Sequence, residues 1–157
     1  MKSNISKKTI QKLLEQAKKD NIQKIVVRAV IKNNDKFLLL ERALSDFLGG
    51  LVVLPGGGVN ADENLLQALA REVKEETNLV ITDIIAYLGS FDYASSSGKK
   101  TRQFNFFIET EPGNIKIDQS EHSNYYLLNS SDENFYKLNI SDGTKKILNI
   151  CNKKQII

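Results

Sequence analysis

Residues 57–79, GGVNADENLLQALAREVKEETNL, place two opposed demands on one short helix. Asn64, with Gln67 three residues later, has the form of a capping box, and Asn78 suits the left-handed position that ends a helix at Thr77. Between these ends, Leu66, Leu69, Ala70 and Val73 recur at helical spacing and need a core to cover them. Glu72, Glu75 and Glu76 fall within an arc of roughly 100° beside that stripe. Like charges at i and i+4 weaken a helix by a few tenths of a kcal/mol. Three carboxylates next to a buried face are worse, unless a cation neutralises them. A solvated acidic face is the competing explanation, with only Arg71 and Lys74 as local partners.

Gly56, Gly57 and Gly58 stand just before this helix. Glycines let backbone approach a ligand, and their carbonyls are hard oxygen donors. Mg²⁺ takes a few carboxylates, keeps waters and completes its shell with substrate phosphates. Arg71 is placed to pair with a glutamate and fix its rotamer. The glycines also match a dinucleotide fingerprint in form, Gly56-x-Gly58-x-x-Ala61, but Asp83 lies too far along for the ribose-binding acid and no Walker lysine follows.

The rest of the chain reads as alternating elements. Residues 6–20 predict a helix, through Ile10, Leu13, Leu14 and Ala17 with lysines opposite. Ile22–Lys32 and Phe37–Ala43 predict a hairpin turning at Asn33-Asn34-Asp35. Further strands are expected at Leu51–Leu54, Leu79–Phe91, Thr101–Thr110 and Asn124–Leu128, with a loop at Tyr93–Lys100. Helices are expected around Asp132–Tyr136 and Asp142–Asn149. No repeat or long linker divides the chain, so residues 1–157 are expected to form one α/β or α+β domain.

The stretch from Gly57 to Leu79 resembles the Nudix box, G-x5-E-x7-R-E-U-x-E-E-x-G-U with U aliphatic. Gly57, Glu63, Arg71-Glu72-Val73, Glu75-Glu76 and Leu79 match, and Asn78 replaces the final glycine. Asn tolerates the left-handed conformation, so this departure touches no ligand. The similarity extends over residues 24–130. The resemblance implies a Nudix fold of the MutT type, an α/β/α sandwich with a mixed central sheet and a smaller antiparallel sheet. It implies hydrolysis of a pyrophosphate bond in a nucleoside diphosphate derivative, with Mg²⁺, or Mn²⁺, as cofactor. Carried over by position, Glu72, Glu75 and Glu76 with the Gly57 carbonyl would bind metal, while Glu63 and Arg71 orient them. Glu75 or Glu121 would be the base. Nucleoside triphosphates, oxidised ones included, are the first expectation, because the chain has no large insertion. ADP-ribose or another sugar nucleotide is the second, although residues 81–97 lack the proline that marks the ADP-ribose subgroup. A non-catalytic nucleotide-sensing module is the rival from another class.

Arg42, Arg28 and Arg102 are candidate phosphate contacts, with an ion pair to Glu41 or Asp46 as the alternative for Arg42. Phe91, Tyr93, Phe104 and Phe106 could stack a base, although strand spacing favours the core. His122 reads as structural, since hard cations prefer oxygen. A net charge of +3, from 22 basic and 19 acidic residues, gives no reason to expect a nucleic-acid polymer. The longest apolar runs fall far short of the roughly 18 residues of a membrane span. Cys151 is the only cysteine, which excludes an internal disulfide. The Lys-rich first twenty residues lack a signal-peptide core, so the expected setting is cytoplasmic, with a nucleotide as the small-molecule partner and a monomer or homodimer.

Overall fold

A computed structural model describes residues 1–154; the end of the expected C-terminal segment, 155–157, lies outside the described residues. The order is β1 (Lys2–Ser3), α1 (Lys7–Lys19), β2 (Lys24–Asn33), β3 (Lys36–Arg42), β4 (Val52–Val53), β5 (Gly56–Gly58), α2 (Leu65–Thr77), β6 (Ile81–Ala94), β7 (Lys100–Thr110), β8 (His122–Leu128), α3 (Glu133–Lys137) and α4 (Asp142–Lys153). Asn34 and Asp35 both adopt positive φ, which makes the tight turn between β2 and β3.

Two sheet segments share that hairpin. The first runs β1-β6-β7-β2-β5, with β1–β6 and β7–β2 parallel and the other pairs antiparallel. The second is antiparallel, with β3 between β4 and β8. Side-chain alternation on β2 divides the core. Val27, Ala29 and Ile31 meet α1 and α2 through Ile10, Ala17, Leu65, Leu69 and Val73. On the opposite face Val30 and Phe107 pack against Phe37, Leu39 and Leu54 of the second segment and Ile147, Leu148 and Cys151 of α4. Helices therefore cover both faces of a mixed sheet, as the resemblance implied. Among the described residues no helix is long and apolar enough to cross a membrane.

Helix α2 has the expected ends. Asn64 accepts from the Gln67 backbone N–H and Gln67 returns the bond, while Asn78 is left-handed at φ 67°. Its buried stripe is Leu65, Ala68, Leu69 and Val73, with Leu66 and Ala70 only half-buried. The helix is thus rotated slightly from the expected register, and Glu76 joins the buried side. Three further features departed from expectation. β1 was unmarked in the sequence, β6 runs past Phe91 to Ala94, and the glycine triplet is itself a strand.

The first residue of that strand lies where β2 leaves no room for a side chain. Gly56 sits at φ 144°, and a Cβ there would drive into the Val27 carbonyl oxygen. Gly56→Ala is therefore expected to cost about 3 kcal/mol or more, read as a lowered urea midpoint. Gly98→Ala, also at positive φ but with open space around it, is the control and should cost about 1 kcal/mol. Equal midpoints for the two variants would contradict the packing of β5.

Candidate active site

The glycine strand opens a passage from α2 to a cleft on the other side of the sheet. Gly58, Gly57 and Gly56 pair with Val26, Val27 and Arg28. Because no side chain projects there, Glu72 and Glu76 reach past β5 into a cleft of about 750 Å³. A Cβ on Gly57 would sit 2.6 Å from the Glu72 carboxylate. Lys24, Val26 and Arg28, alternate residues of β2, line the cleft. Arg28 Nη1 donates to the carbonyls of Leu54 (3.0 Å) and Gly56 (2.8 Å), which fixes the strand from beneath.

Arg71 organises the outer acids. Its Nε and Nη2 donate to both oxygens of Glu63 at 2.7 and 2.8 Å, and Nη2 also reaches the Gly58 carbonyl at 2.9 Å. Nη1 donates to Glu72 at 2.8 Å and to Glu75 at 3.3 Å. The Arg71 hydrogen bond holds the Glu63 carboxyl below its usual range. Among the described residues Glu75 has Arg71 as its one side-chain ion-pair partner, its side chain is 58% exposed, and it is not among the cleft-lining residues. The structure therefore brings Glu72 and Glu76 into the cleft, while Glu75 does not line it but shares Arg71 Nη1 with Glu72 and adds to the charge that raises Glu121.

The inner acids are placed differently. Glu76 is 5% exposed and accepts from the Gly56 N–H at 2.7 Å. Burial pushes its carboxyl up to about 8, against the opposing pull of Arg28. Glu76, Glu121 and His122 each present a ligand atom within 4.8 Å of the others. Glu121 is also raised, first by burial and then by Asp118. His122 was read as structural, yet its Nε2 lies 3.9 Å from Glu76 and it lines the cleft. Burial pushes His122 down to about 4, so its imidazole is neutral, and its buried Nδ1 has no hydrogen-bond partner among the described residues. The register of β8 against β3, with His122 opposite Arg42 across a bulge, brings it there. A histidine directly after the Glu121 already singled out was the available signal.

A buried carboxylate with one N–H donor, beside two more acids and a neutral imidazole, suits a divalent cation. The basic candidates divide. Arg42 lines the cleft and makes a two-pronged pair with Asp46, at 3.2 and 2.8 Å. Arg28 lines the cleft from its floor. Arg102 does not line it; alternation on the β6–β7 hairpin turns it towards Asp92 and Asp20, at 2.7 and 2.9 Å. Of the four aromatic candidates only Tyr93 borders the cleft. Phe104 and Phe106 are core, and Phe91 packs beside α4 at Gly143.

In protein stripped of divalent ions these shifts act on stability in opposite senses. Glu76, raised from an ordinary 4.5 to about 8, contributes stability present at low pH and lost as pH rises through 8. Glu121 acts in the same direction. His122, lowered from 6.5 to about 4, contributes stability present at high pH and lost as pH falls. Above 6.5 the histidine no longer compensates. Stability is therefore expected to drop between pH 6.5 and 8 by about 1–2 kcal/mol, measured by denaturation in chelator, and Glu76→Gln should flatten the drop. Stability that rises over this window in the unsubstituted protein would contradict the assignment.

Residues 23–142 match the NUDIX domain family. An ADP-ribose pyrophosphatase of Methanocaldococcus jannaschii is 31% identical over 110 residues, 67% of this chain and 62% of the relative, so the chain spans less than two thirds of that protein's length. The MutT protein of Methanosarcina mazei Go1 superposes with a TM-score of 0.69 at 28% identity, over 84% of this chain and 94% of its own. The E. coli ORF135 protein gives 0.70 at 23% identity, over 87% and 94%, which shows a common fold. The match spans the glycine strand, the Arg71 hub and both acid groups, and by it the chain belongs to the Nudix family.

Proposed function

We propose that the chain hydrolyses a pyrophosphate bond in a nucleoside di- or triphosphate derivative, with a divalent cation held by Glu72 and Glu76. The buried, weakly compensated carboxyl of Glu76 beside Glu121 and His122 carries this reading. Mg²⁺ is the first candidate and Mn²⁺ the second, because the donors are mostly hard oxygens. A cation bound there would neutralise phosphate charge and lower the barrier to attack on phosphorus.

The chain's own residues supply the remainder. Arg42 faces the cleft with Nη1 in no hydrogen bond among the described residues, and meets a phosphate oxygen. Glu121, with its raised pKa, accepts the proton of the attacking water. The water oxygen bonds one phosphorus, and the bridging oxygen leaves with the other phosphate. Between the two base candidates, lining of the cleft favours Glu121 over Glu75. Arg71 and Glu63 hold Glu72 in position.

Nucleoside triphosphates are the first substrate reading, because the chain carries no large insertion that would hold a second moiety. The name of the archaeal relative favours ADP-ribose as the second. A panel of nucleoside triphosphates and ADP-ribose, assayed with Mg²⁺, separates them by product. Glu121→Gln should lower kcat about 10²–10⁴-fold, while Glu75→Gln should stay within about tenfold. The reverse ranking would assign the base to Glu75, and absence of turnover on every nucleotide would remove the proposal.

A further inference from the structure

Phe47 is a large apolar side chain left 81% exposed, and it lines the same cleft as the acids. The turn that carries it is tied on both sides of the ring. Asp46 receives two hydrogen bonds from Arg42, its N–H donates to the Ala43 carbonyl at 2.9 Å, and its carboxylate accepts from Leu48 N–H at 3.0 Å. Gly49 N–H donates to the Asp46 carbonyl at 3.0 Å and Gly50 N–H to the Arg42 carbonyl at 2.9 Å. A Cβ on Gly49 would meet Leu44 backbone at 2.8 Å, so the turn is also sterically fixed. A phenyl ring held in water on such a turn gains free energy from any flat apolar cover.

The composition of the cleft selects the cover. Acids and cations line its inner part, where phosphates would go, and the carbocyclic aromatic rings on its wall are Phe47 and Tyr93, the latter 38% exposed. The flat, weakly polar part of a nucleotide is its base. Leu48, 46% exposed, lines the cleft beside Phe47, whereas Leu44, 85% exposed on the same turn, does not. We propose that Phe47 determines specificity by stacking on the heterocyclic base of the substrate, with Tyr93 bordering the same space. This rests on the nucleotide reading above and adds the residue that recognises the base.

The chain contains no tryptophan, so Phe47→Trp introduces a single reporter. With Mg²⁺ present and excitation near the red edge of indole absorption, at least one of the four common nucleoside monophosphates should quench its emission, and ribose 5-phosphate should not. Phe47→Ala should raise KM for the preferred nucleotide about tenfold with kcat within about twofold, since base stacking on an aromatic ring is worth about 1–3 kcal/mol. Inhibition by base-free tripolyphosphate should be unchanged. Equal quenching by ribose 5-phosphate, no quenching by any monophosphate, or an unchanged KM would overturn the proposal. Concentration-dependent sedimentation abolished by Phe47→Ala, with KM unmoved, would assign the ring to a second copy and also overturn it. A wild-type chain inactive on all nucleotides would instead strike the functional reading, while the tryptophan titration still reports base contact.

Discussion

The arrangement depends on a stretch of sheet without side chains. Acids on a helix packed against one face have to reach a cleft on the other, and ordinary strand residues would block the way. Gly56 and Gly57 meet Val27 backbone and the Glu72 carboxylate closely enough that neither position has space for a Cβ. Arg28 holds the strand through two carbonyls, and Gly56 donates its N–H to Glu76. Gly56–Gly58 thus complete the sheet edge and open the passage, and Gly56 also holds a buried carboxyl.

Charge around the passage is unequally satisfied. Arg71 distributes its donors over Glu63, Glu72, Glu75 and the Gly58 carbonyl, so the outer acids share a single guanidinium and keep a net negative charge. Among the described residues neither Glu76 nor Glu121 makes a side-chain hydrogen bond to a cation, and burial raises both despite the pull of Arg28 on Glu76 and of Arg42 on Glu121. Burying an ionisable group without a counter-charge costs several kcal/mol unless it protonates or finds a cation. The fold tolerates this cost at one place, and that place opens into the cleft. Such a concentration of perturbed groups marks a functional site more often than a structural one.

Much of this was legible from local chemistry. The caps of α2, the turn at Asn34-Asp35 and the β2–β3 hairpin each act over a few residues, and each appeared where expected. The direction of Glu75 was not legible, because it depends on how the packing of Leu65 and Ala68 rotates the helix. Nor was the meeting of Glu76 with His122, which are separated by 46 positions and joined only by the register of β8 on β3. Arg102 looked equivalent to Arg28 in the sequence, but the hairpin turns it towards Asp20 at the end of α1. The alternative of an Arg42–Asp46 pair followed from their spacing and is present alongside the cleft position, so the two readings of Arg42 did not exclude each other.

The central claim is that Glu72 and Glu76, carried through the glycine strand, hold a divalent cation. Titration of Mn²⁺ followed by electron paramagnetic resonance, without nucleotide, tests it directly. The account predicts that the protein removes the free-ion signal, that Glu76→Gln and Glu72→Gln each weaken binding about tenfold or more, and that Glu75→Gln has a smaller effect. Mn²⁺ left free in the unsubstituted protein, or held equally well after Glu76→Gln, would contradict it.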